Sequence, residues 1–62
     1  MRPHHHPGVE FIHTLQGTLG VHMNGIVHRL AAGDSIYFDA SQAHAYRRES
    51  GRTCTALVVT AA

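Results

Sequence analysis

At 62 residues with a formal net charge of +1, the chain is one domain, residues 1–62, near the lower size at which a single core holds without help. So small a charge gives no support to nucleic-acid binding by this chain alone, and no apolar run approaches the roughly 20 residues of a membrane helix. No secretory signal is visible, and Cys54, the only cysteine, allows no intrachain disulfide, so a reduced cytoplasmic setting is the default.

The elements read as β throughout. Glu10 to Gln16 is rich in strand formers and ends at Gly17. Thr18 to Met23 sets Leu19, Val21 and Met23 against Thr18, Gly20 and His22, the alternation of a half-buried strand. Asn24-Gly25 gives the strongest hairpin signal in the chain, because a type I′ turn needs positive φ at both central positions. Ile26 to Leu30 returns antiparallel, and Ala31 to Asp34 turns. Ser35 to Asp39 is a short strand carrying Ile36, Tyr37 and Phe38, and Ala40 to Ala43 is a loop that delivers His44. His44 to Arg48 starts another strand, residues 49–52 turn, and Thr53 to Thr60 is the last. No segment has a helical period, and short strands joined by frequent turns imply an antiparallel sandwich or barrel.

Four side chains stand out on this frame: His4, His6 and Glu10 in H4-H-H6-P-G-V-E10, and His44. Three imidazoles and a carboxylate form a compact ligand set for a divalent transition metal. In an extended chain alternate residues share a face, so His4 and His6 point together while His5 points away. Glu10 returns to that face after the Pro7-Gly8 turn, and His44 arrives from a distant strand. A histidine-rich terminus is also what a purification-tag remnant looks like. Here the run has three histidines and continues into a spaced glutamate and glycine, which favours the metal site.

H4-x-H6-x3-E10-x6-G17 matches the first cupin motif from its first histidine onward, and G33-x5-D39-x-S41-x2-H44 resembles the second. The second motif usually carries Pro and Gly where this chain has Asp39 and Ser41, and Asn where it has Arg48. The resemblance covers nearly the whole chain and implies an all-β, small cupin jelly-roll barrel of about six antiparallel strands, with His4, His6, Glu10 and His44 as metal ligands. A jelly roll normally has eight strands, so this barrel reads as truncated at its front, where Phe11, His13 and Leu15 would lose their usual cover. Completion by a second copy in a homodimer is the favoured expectation, and the alternative is that the chain is the C-terminal part of a longer protein with an early or misassigned start.

The ligand types admit Fe, Mn, Zn, Ni or Cu. Ligands must be deprotonated, so metal binding should weaken as pH falls through the unperturbed histidine value of about 6.5. His22 and His28 flank the hairpin and read as exposed cross-strand packing, and Cys54 as a buried small hydrophobe in a β-run. Arg47, Arg48 and Arg52 are explained by a solvated strand end or by contact with an anionic ligand. HPGVEFIHTLQG followed by GDSIYFDASQAH looks most like the C-terminal sensor cupin of helix-turn-helix transcription regulators, which implies a binding module for metal and a small-molecule ligand in the barrel. The alternative is a metal-dependent dioxygenase, isomerase or lyase acting on a small oxygenated substrate, with Tyr46 or a metal-bound hydroxide as the weak candidates for a base.

Overall fold

The computed structural model describes residues 8–49 and 51–61. Six strands follow one another: β1 (Val9–Gln16), β2 (Thr18–Met23), β3 (Ile26–Ala31), β4 (Ser35–Asp39), β5 (His44–Arg48) and β6 (Thr55–Ala61). They form two three-stranded antiparallel sheets, ordered β4-β1-β6 and β3-β2-β5. This is the expected all-β architecture, consistent with a small jelly roll.

The turns follow from local chemistry. Asn24 and Gly25 adopt φ of 51° and 75°, the pair of positive values that a type I′ turn requires. They lock β2 and β3 in a register that places Val21 opposite His28 and Leu19 opposite Leu30. The turn into β4 is closed reciprocally, with the Asp34 amide donating to the Ala31 carbonyl and the Ala31 amide to Asp34 Oδ2, both at 2.9 Å. Before His44, Asp39 and Ser41 replace the Pro and Gly usual in the motif. Asp39 Oδ1 accepts the Ser41 amide at 2.9 Å, a side-chain turn that shapes this loop without proline. Ala40 is fully buried beneath it, its amide bonded to the Gly8 carbonyl.

Alternation then decides what is inside. Ile12 and Phe38 from one sheet meet Leu19, Val21, Met23 and Leu30 from the other, all buried in one cluster. Burying each such side chain contributes about 1.5–3 kcal/mol, the main favourable term available to so short a chain. The opposite face of β4-β1-β6 stays apolar and open: Leu15, Tyr37 and Leu57 are exposed by more than half, and Phe11 pairs between Tyr37 and Val59.

Three readings need adjustment. β6 begins at Thr55 rather than Thr53, so Cys54 lies before the strand and is half-buried. The reason is steric: Thr53 and Cys54 pass directly under Gly17, and the ladder opens with the pair Gln16–Thr55. The register also slips between Thr14 and Gln16, a bulge at Leu15. His22 is half-buried rather than exposed, 3.8 Å from Glu49 Oε2, while His28 is exposed as expected.

Candidate metal centre

The inward face of β1 carries Glu10, Ile12 and Thr14, all buried, because the odd residues of the strand face outward. Glu10 lies opposite Phe38 on one side and Thr60 on the other. His44 opens β5 opposite Met23, at the same end of the barrel. The two sheets thus bring a carboxylate and an imidazole that are 34 positions apart to within 3.8 Å, Glu10 Oε1 to His44 Nε2. Only 3% of Glu10 and 1% of His44 reach the surface.

The orientation of each group is set by a neighbour. His44 Nδ1 lies 2.8 Å from the Gln42 carbonyl oxygen, which can only accept, so Nδ1 carries a proton and donates it. Nε2 is then the nitrogen that faces Glu10. Ligating histidines are typically held in this way, one ring nitrogen donating to a carbonyl while the other turns to the ion. Thr60 Oγ1 donates to Glu10 Oε2 at 3.2 Å, which leaves Oε1 directed at the imidazole. Phe38 meets the His44 ring edge-on at 5.0 Å and Tyr46 tilts against it at 5.6 Å, so the ring has little freedom to turn.

This donor set fits a transition-metal ion. A carboxylate oxygen and an imidazole nitrogen converge across a gap wider than a hydrogen bond. With bonds of about 2.1 Å, two neighbouring donors would sit roughly 3.4 Å apart on a tetrahedral ion and roughly 3.0 Å apart on an octahedral one, so the observed pair would close by about 0.4–0.8 Å. A groove of ≈ 350 Å³ is lined by His22, Met23, Ala43, His44, Ala45 and the Asn24-Gly25 turn.

Of the four expected ligands, the structure brings Glu10 and His44 together; His4 and His6 lie outside the described residues. Among the described residues no group of three or more His, Cys, Asp or Glu side chains gathers for a metal. Thr60 and the Gln42 carbonyl were not singled out from the sequence. Thr60 sits on the inward alternation of β6, but its partner depends on a pairing 50 residues away. His13 bonds Ser35 on the outer face at 2.6 Å, and His22 lies near Glu49, so neither joins the pair.

A two-sheet β fold with a carboxylate and an imidazole buried between the sheets defines a small barrel protein built around an internal site. The family model for the cupin domain matches residues 1–60, and the chain belongs to the cupin family. Comparison with curated proteins and with solved structures finds no match. Among the described residues no helix is long and apolar enough to cross a membrane.

Proposed function

We propose that this cupin holds a divalent transition metal through His4, His6, Glu10 and His44 and serves as a small-molecule sensor module. The observation that carries the reading is the buried Glu10–His44 pair, whose imidazole is fixed by the Gln42 carbonyl with Nε2 toward the carboxylate. A buried carboxylate oxygen and an imidazole nitrogen that face each other at 3.8 Å suit a shared cation. Three imidazoles and one carboxylate would leave two positions open on an octahedral ion, where a small oxygenated ligand binds. The resemblance of both motif segments to the sensor cupins of helix-turn-helix regulators supports binding rather than turnover, and DNA recognition would belong to a separate domain.

One observation favours a second reading, a metal-dependent dioxygenase, isomerase or lyase. The Tyr46 ring leans on His44, and its hydroxyl is buried without a hydrogen-bond partner among the described residues. A phenol so placed has a proton to give to a substrate oxygen, and a bound metal would supply Lewis-acid polarisation. Oxygen-consuming turnover by the Fe(II)-loaded protein, lost in Tyr46→Phe with metal content retained, would select the enzyme. Ligand binding without turnover selects the sensor.

A homodimer belongs to the same proposal. The outer face of β4-β1-β6, with Phe11, Leu15, Tyr37, Leu57 and Val59, is the surface for a second copy. Light scattering behind size exclusion should give twice the chain mass, and Tyr37→Lys with Leu57→Glu should reduce it to one. A wild-type monomer at micromolar concentration would remove the dimer from the account.

A further inference from the structure

Away from Glu10 and His44, a second groove of ≈ 420 Å³ opens beside β5 and the start of β6. It falls within the size range of small-ligand pockets. Leu19, the Tyr46 ring, Cys54 and Ala56 give it an apolar wall, and Arg47, Arg48 and Thr53 complete the lining. Among the described residues no carboxylate lines it. Arg48 stands directly opposite Leu19 in the β2–β5 ladder, so it leaves the sheet on the same inward face as that buried leucine. Neither Arg47 nor Arg48 has an ion-pair partner among the described residues, whereas Arg29 pairs with Glu49 at 3.3 Å.

An open apolar groove bordered by guanidinium groups that have no ion-pair partner among the described residues is complementary to one ligand class. We propose that the groove binds a small carboxylate with an apolar body, its head group held by Arg48 and its body against Leu19, Tyr46, Cys54 and Ala56. A guanidinium meets a carboxylate in two parallel hydrogen bonds, and the partly desolvated wall strengthens both. Tyr46 lines this groove and also leans on His44, so one side chain touches both the ligand slot and the metal centre. The inference names the ligand of the proposed sensor, and so rests on that reading, but it does not require the metal.

The test uses the full chain, stripped of metal so that a carboxylate has no ion to bind. Benzoate and its neutral isostere benzamide are titrated against the amide NMR spectrum. Benzoate should shift Leu19, Tyr46, Cys54 and Ala56 and bind at least tenfold tighter than benzamide. Arg48→Gln should weaken benzoate at least tenfold and leave benzamide unchanged, while Arg29→Gln changes neither. Equal affinity for the two probes, shifts centred on Glu10 and His44, an unaffected Arg48→Gln, or no binding of millimolar benzoate would overturn the proposal. Metal uptake measured separately keeps the readings apart: loss of metal with benzoate binding retained counts against the metal site alone.

Discussion

Replacing Gly17 by alanine tests how the chain closes its barrel. Gly17 ends the first motif at φ +76°, and a Cβ there would clash with the Thr53 carbonyl oxygen and stand 3.1 Å from Cys54 Cα. Both contacts are backbone, so neither moves aside as a side chain would. Gly25 is the internal control: its φ is +75°, and a Cβ would meet nothing within 4 Å. The left-handed conformation costs a non-glycine residue about 1–2 kcal/mol at either position. The clash adds about 1–3 kcal/mol at Gly17 alone. A domain of this length is stable by roughly 3–9 kcal/mol, so Gly17→Ala removes a large share of it. Each kcal/mol moves the melting temperature of so small a domain by about 4–8 °C. Thermal melts followed by circular dichroism in chelator should place Gly17→Ala about 4–24 °C below Gly25→Ala. Coincident melts would refute the close approach of residues 53–54 to the β1–β2 junction.

Thr60→Val keeps the shape of β6 but removes the hydroxyl that donates to Glu10 Oε2. Metal affinity by calorimetry should fall about 10–100-fold with little change in melting temperature, and unchanged affinity would mean that Thr60 does not orient the carboxylate. The Ser41 backbone amide, then its hydroxyl, hold the Asp39 carboxyl below its ordinary value of 3.8. A carboxyl depressed in the folded state stabilises in full above its unfolded value and loses that contribution as pH falls through the lower folded one. The melting advantage of wild type over Asp39→Ala should therefore shrink on acidification below pH 3.8, and an advantage that grows there would contradict the turn.

Much of this fold is legible in the sequence because its signals are local. The alternation of Leu19, Val21 and Met23 and the Asn24-Gly25 pair need no distant partner, and β2, β4 and β5 have the expected limits. What escaped depends on long-range register. The start of β6 is decided by the contact of Thr53 with Gly17, and Thr60 reaches Glu10 only because β6 pairs with β1. His22 looked like an exposed hairpin residue because nothing nearby in sequence announces that Glu49 will lie over Gly20 and approach it. Glu10 and His44 were legible as donors through motif spacing, but their separation and the Gln42 carbonyl that orients the imidazole are tertiary facts.

Metal content per chain by elemental analysis, on protein loaded with Fe(II) or Zn and passed through size exclusion, tests the central claim most directly. The account predicts close to one ion per chain in wild type, a near-complete loss in His6→Ala and His44→Ala, and no change in His22→Ala. A wild-type protein that refuses metal, or equal loss from all three variants, would contradict it.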